Sequence, residues 1–191
     1  MIVENVSGRP GKRIHVVQGE HHISSDPDVV LTTILGSCVA VCMRDPKTGV
    51  GGMNHFLLPT GKAEGLDEGR RYGAYAMELL INELMKAGAR RGSLEAKIFG
   101  GAAVIQGMTQ LNVGKQNVEF VERFLAQERI PIVSKDVLDV TPRKVCLFPK
   151  SGRAMVKKLA PATAPSVASE EVSYRRSLKT AAVRGGAVEL F

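Results

Sequence analysis

Short apolar runs along the chain alternate with polar breaks rich in Gly, Pro and Asp, and their spacing predicts strands interspersed with two main helices. Ile14 to Val17 reads as a first strand. Val29 to Leu35 is a β-branched run of strand length, preceded by a turn at Asp26-Pro27-Asp28 and interrupted by Gly36-Ser37. Val39 to Met43 resumes an extended pattern, and Asp45-Pro46-Lys47-Thr48-Gly49 carries the residues of a hairpin turn. Val50 to Leu58 is the expected return strand, followed by a polar, Gly-containing loop over 60–69. In the segment 71–87, Tyr72, Ala76, Leu79, Leu80, Leu84 and Ala87 fall on one helical face, with Gly88 as a stop. Strands are expected at 95–99, 130–133, 144–148 and 154–156. A second helix is expected within 115–127, with Asn112 as a candidate cap.

The pattern implies one α/β (α+β) domain over 14–159. Residues 1–13 read as a flexible N-terminal arm. Residues 160–191 open with the linker-like Ala160-Pro161-Ala162-Thr163-Ala164-Pro165-Ser166 and are expected to form a disordered basic tail, whose terminal Val188, Leu190 and Phe191 are candidates for a docking element. Of the 191 residues, 44% are hydrophobic and only 5% aromatic, so the core should be built of Val, Leu, Ile, Ala and Met. No apolar run is long enough for a membrane span or a signal peptide, which leads to an expected cytoplasmic location without membrane insertion. The net charge of +7 suits an acidic partner, but much of it sits near the ends of the chain. The basic residues are not interleaved with aromatics, which disfavours nucleic acid.

Three cysteines, Cys38, Cys42 and Cys146, form no C-x-x-C pair, so neither a disulfide framework nor a zinc cage is expected, and no metal or other cofactor is called for. Cys42 and Cys146 lie inside apolar strands and read as core. Cys38 differs because the hairpin brings it near His55. A turn centred on Lys47 sets opposite each other residues whose numbers sum to about 94, which places Cys38 across from position 56, give or take one. Gly51-Gly52 is a candidate bulge that would shift that register. A thiol beside an imidazole is a nucleophile with its own base. Gly36 and Ser37 allow a sharp turn that presents a backbone N–H to a developing oxyanion. Thr32 and Thr33 are both available to orient the imidazole. His15, His21 and His22 read as surface or loop residues.

The stretch LGSCVAVCMRD, a short turn, and then GGMNHFLLP closely resemble the signature of the CheD family of chemoreceptor glutamine deamidases. The resemblance continues in order through YGAYAMELLINELMKAGA, AKIFGGAAV, NVGKQNVEFVERFL and RKVCLFPKSG, covering roughly residues 14 to 159. It departs at Leu138-Asp139-Val140-Thr141-Pro142, where the family tends to carry a Gly-rich step, and this reads as a change to a surface loop. The resemblance implies an α/β sandwich similar to bacterial toxin deamidases and a Cys–His–Thr triad. By motif position the triad is Cys38, His55 and Thr32.

The implied activity is a protein-glutamine glutaminase, which converts receptor glutamines to glutamates through a cysteine thioester and can hydrolyse glutamyl methyl esters by the same route. The implied partners are the helical cytoplasmic region of methyl-accepting chemotaxis receptors and a CheC-type phosphatase. Phe99, Gly100 and Gly101 are candidates for the rim of the partner surface. The alternative reading is a non-catalytic chemotaxis adaptor with a merely buried Cys38.

Overall fold

A computed structural model describes residues 12–58, 63–103, 111–160 and 165–174, with the backbone alone described at 63–70 and 111–112. Two sheets face each other. The first has strand order β1 (Lys12–His15), β3 (Val29–Leu35), β8 (Arg143–Phe148) and β9 (Arg153–Lys158). The second has order β2 (His21–Ser24), β5 (Val50–Phe56), β4 (Val39–Asp45), β6 (Glu95–Gly100) and β7 (Ile132–Val137). Helices α1 (Ala63–Lys86) and α2 (Leu111–Gln127) cover the outer face of the second sheet, and a further helix, α3, spans 165–174. The result is an α+β sandwich; the pattern predicted the α/β (α+β) class, and the sandwich is what the family resemblance implied.

Strand β4 shows why the layers form. Its Val39, Val41 and Met43 pack with Met77, Leu80 and Val121 in the core under the helices, while Ala40 and Cys42 pack with Leu31 and Leu147 between the sheets. Successive side chains alternate faces, so a strand apolar at both parities must be covered on both sides. Cys38, just before β4, shares the parity of Ala40 and belongs to the inter-sheet core. The chain leaves the first sheet at Leu35 and enters the second at Val39, and this crossover carries the thiol into the space between them.

The strand expected at 130–133 is found at Ile132–Val137, and the elements differ from expectation in four further places. Residues 12 and 13 belong to β1, which pairs in parallel with β3, and 1–11 lie outside the described residues. The short strand β2 was not expected; it pairs with β5 through His21↔Asn54 and its neighbours, so His21 and His22 are strand residues. Helix α1 starts at Ala63, inside the span expected as a loop, because Gly65 and Gly69 weaken a helix without ending it. The tail expected to be disordered is helical over 165–174, with Pro165 at its first turn, where a missing N–H costs nothing. The rest of that tail, including Val188, Leu190 and Phe191, lies outside the described residues, as does the side chain of Asn112.

Candidate active site

The hairpin turn closes through Gly49 N–H to the Asp45 carbonyl at 2.9 Å, and it sets an unbroken register from Asp45↔Val50 to Val39↔Phe56. There is no bulge at Gly51-Gly52. Paired residue numbers therefore sum to 95, with His55 opposite Ala40. The difference of one matters: it sets His55 at the parity of Ala40, which is also that of Cys38. Thiol and imidazole are then diagonal neighbours on one face, and His55 Nε2 lies 2.9 Å from Cys38 Sγ. The histidine backbone is clamped by its neighbours as well. His55 N–H donates to the Glu20 carbonyl at 3.0 Å, and Gly19 N–H donates to the His55 carbonyl at 2.7 Å.

The imidazole is oriented by Thr33, not by Thr32. Thr33 Oγ1 lies 2.9 Å from His55 Nδ1 and donates its proton to the Val16 carbonyl at 2.9 Å. Thr32 points to the other side of β3. Val30, two residues before it, packs there with Cys146 and Phe148, and Thr32 itself is paired with Cys146. Leu31 and Leu35 share Thr33's parity and face the inter-sheet core with Cys38. The hydroxyl has a single proton and gives it to Val16, so Nδ1 must be the donor in its bond with Thr33. Nε2 is then unprotonated and aimed at the thiol, the tautomer a general base needs.

Burial pulls the His55 pKa from 6.5 down to about 4; the hydrogen bond to the Val16 carbonyl opposes the shift, and the nearby His15 reinforces it. The imidazole is therefore neutral at ordinary pH. The Cys38 thiol is pushed well up, first by burial and then by the charge and hydrogen bonding of Glu171 from α3. Cys38 is 1% exposed with α3 in place.

The turn before Cys38 is held from behind. Asn117 of α2 is fully buried; its Nδ2 donates to the Ser37 carbonyl at 2.8 Å, and its Oδ1 accepts from Leu58 N–H at 3.0 Å. One amide thus ties the Cys38 turn to the chain just past His55. Gly101 N–H donates to the Cys38 carbonyl at 2.8 Å, and Ala102 N–H to the Gly36 carbonyl at 2.7 Å. Gly100 has φ +108°, and a Cβ there would lie 2.2 Å from the Cys38 carbonyl oxygen. Only glycine fits such an approach. Phe99, Gly100 and Gly101 are thus buried behind Cys38 and do not form an exposed partner rim. The segment 138–142, where the chain departs from the family pattern, braces this same strip: Leu138 N–H donates to the Gly100 carbonyl and Ala103 N–H to the Asp139 carbonyl, each at 2.8 Å. The buried Arg143 holds the Asp136 and Leu138 carbonyls and the Asp136 carboxylate.

Gly36 and Ser37 lie in the bend that leads from β3 to β4, and the next backbone N–H is that of Cys38. It donates to Glu171 Oε1 at 3.0 Å, while Ser37 Oγ donates to Glu171 Oε2 at 2.6 Å. Neither Asn117 nor Glu171 stood out in the sequence. The former resembles any polar residue of an amphipathic helix, and the latter lies beyond a linker-like stretch. Among the described residues, no three His, Cys, Asp or Glu side chains are grouped to hold a metal ion. No helix among them is long and apolar enough to cross a membrane.

Comparison with known proteins bears on this geometry. The family model described as "CheD chemotactic sensory transduction" matches residues 57–158. A probable chemoreceptor glutamine deamidase CheD 1 of Albidiferax ferrireducens is 51% identical over 93% of this chain and 75% of its own length. A probable chemoreceptor glutamine deamidase CheD of Burkholderia vietnamiensis is 52% identical over 96% of this chain and 75% of its own. One from Caulobacter vibrioides is 50% identical over 94% and 93%. Among solved structures, a hypothetical protein YfiH of Bacillus licheniformis overlaps distantly, with a TM-score of 0.38 and 15% identity over 63% of this chain and 49% of its own.

Proposed function

Because the chain belongs to the CheD family, we infer that it is a chemoreceptor glutamine deamidase, a hydrolase that acts on protein glutamine. The observation that carries the chemistry is the contact between His55 Nε2 and Cys38 Sγ, with Nδ1 held by Thr33. Nε2 takes the thiol proton as Sγ attacks the side-chain carbonyl carbon of glutamine. The carbonyl oxygen gains charge and is received by the Cys38 N–H, which is directed outward from the turn. The imidazolium then returns the proton to the amide nitrogen, the C–N bond breaks, and ammonia leaves a thioester on Cys38. His55 next takes a proton from water, whose oxygen attacks the thioester. Collapse frees glutamate, and the sulfur recovers the proton. A glutamyl methyl ester enters the same cycle with methanol as the leaving group.

In this reading the substrate region is the helical cytoplasmic part of methyl-accepting chemotaxis receptors, and the enzyme would act in the cytoplasm. A CheC-type phosphatase is the further partner of this reading, and the basic balance of the chain favours acidic surfaces of either kind. The test is mass spectrometry and ammonia release on a purified receptor cytoplasmic fragment. Wild-type protein should raise the mass by about one dalton per modified glutamine, as hydrolysis of an amide requires, and Cys38→Ala should abolish the change. A folded wild-type protein that leaves every receptor glutamine intact would turn the reading toward the adaptor.

A further inference from the structure

The cleft in front of Cys38 already holds a ligand, which is the chain's own helix α3. One stripe of that helix, Val167, Ala168, Glu171 and Tyr174, faces the protein; the first three are buried. Glu171 is 4% exposed, and its carboxylate bridges the Cys38 N–H and the Ser37 hydroxyl at 3.0 and 2.6 Å. A carboxylate on the donor that serves an amide's developing oxyanion is what this reaction leaves behind when glutamine becomes glutamate.

We propose that α3 is bound in the substrate channel of its own active site, with Glu171 in the place of a product glutamate. The channel therefore takes a helix that presents glutamine four and three residues after two small apolar side chains. This deepens the deamidase reading and rests on it for the identity of the product.

The fit is built by particular residues. Gly36 has no side chain where the helix crosses it; a Cβ there would lie 2.9 Å from both Val167 Cγ1 and Glu171 Oε1. Tyr174 Oη sits over Gly19, 2.3 Å from where a Cβ would be, and bonds Tyr72 Oη of α1 at 2.6 Å. Ser37 Oγ donates to the carboxylate, and the same oxygen can accept from the NH2 of a glutamine, so it serves both product and substrate. The helix also silences the site. Burial, together with the Glu171 charge beside the sulfur, keeps the thiol protonated. A short tether gives a bound segment an effective concentration of roughly millimolar, and a substrate helix must compete with that to enter.

The test uses the full-length chain and reads Cys38 first by iodoacetamide labelling with peptide mapping, Cys42 and Cys146 serving as internal controls. Glu171→Ala should speed labelling of Cys38 about tenfold or more, since each unit of thiol pKa relieved is a tenfold gain in thiolate. Tyr174→Phe, which keeps the carboxylate but removes the anchor to Tyr72, should move the rate the same way. Wild-type rates in both variants would overturn the proposal.

Glu171→Gln adds a second reading, because it turns the mimic into an internal substrate. The introduced glutamine should convert to glutamate with loss of ammonia, and should persist when Cys38→Ala is added. Its persistence in the variant that retains Cys38, together with unaltered labelling of that cysteine, would also overturn the proposal. If labelling accelerates as expected but neither the introduced glutamine nor a receptor fragment is ever deamidated, the occluding helix stands and the deamidase reading falls.

Discussion

Cys38 and Cys42 sit four residues apart on the same face of one strand path, both buried in the core between the sheets. Burial raises the pKa of both thiols. By exposure, layer and direction of shift the two are nearly alike, yet only one is placed for chemistry. Cys42 is paired with Met53 across the hairpin and with Lys97 on the other side. Cys38 has the unprotonated nitrogen of His55 at 2.9 Å and an N–H turned toward a cleft. The role proposed for Cys38 rests on what its sulfur and its backbone face, not on how deeply the sulfur lies.

Replacing each of the two cysteines in turn by alanine tests that contrast most directly. Cys38→Ala should lower receptor deamidation by about a thousandfold or more, the usual consequence of deleting a nucleophile. Cys42→Ala should leave turnover within about twofold and cost about 1–2 kcal/mol of stability, as a small core truncation does. Ammonia release by each purified variant, beside its urea unfolding curve, decides the matter. Equal loss of activity in the two variants would remove the distinction.

The imidazole that sets Cys38 apart also leaves a mark on stability. The folded-state pKa of His55 lies at about 4, below its ordinary 6.5, because burial penalises the charged ring. The folded protein therefore binds fewer protons than the unfolded chain between those values. The contribution is fully present above about pH 6.5 and is lost as pH falls through about 4, a change of about 3 kcal/mol. Urea unfolding at neutral pH and near the lower value, compared with His55→Gln, should show the wild type losing that much more over the interval. A variant with the same acid slope would mean that His55 is not buried in its neutral form.

Much of this was open to reading in the residues. The hairpin, both main helices and the meeting of Cys38 with His55 follow from turn chemistry and apolar spacing. Strand β2 escaped because His21-His22-Ile23-Ser24 has one apolar residue; its place is dictated by pairing with β5, not by its own pattern. Helix α3 escaped for a related reason. Its buried stripe contains Glu171, and a carboxylate on a buried face breaks the binary pattern unless the donors that receive it are known. The placement of Phe99, Gly100 and Gly101 escaped because a glycine pair at a strand end looks the same whether it faces solvent or the carbonyl of Cys38. The choice between Thr32 and Thr33 was undecidable by alternation. Leu31 and Leu35 on one face of β3 are matched by Val30 and Ile34 on the other, so both parities look like core.

That last ambiguity gives the smallest effect and the sharpest test of why Cys38 differs from Cys42. Thr33 does not touch the reacting atoms; it acts by holding Nδ1–H, so that Nε2 points bare at the sulfur. Thr33→Val keeps the shape of the side chain and removes the acceptor, leaving only the longer 3.4 Å approach of Nδ1 to the Val16 carbonyl. Loss of such an orienting partner costs about 10–100-fold by analogy with outer partners of ligating histidines. The loss should fall on kcat more than on KM, because the substrate contacts are untouched. Thr33→Ser restores the hydroxyl and should recover most of the rate, which a merely structural role for the methyl group would not do. Thr32→Val, on the opposite face of the same strand, should leave kcat within about twofold, as expected when no group in the reaction is disturbed. If Thr32→Val were the damaging change and Thr33→Val the silent one, the imidazole would be held differently from the arrangement seen here, and the tautomer assigned to His55 would fall with it.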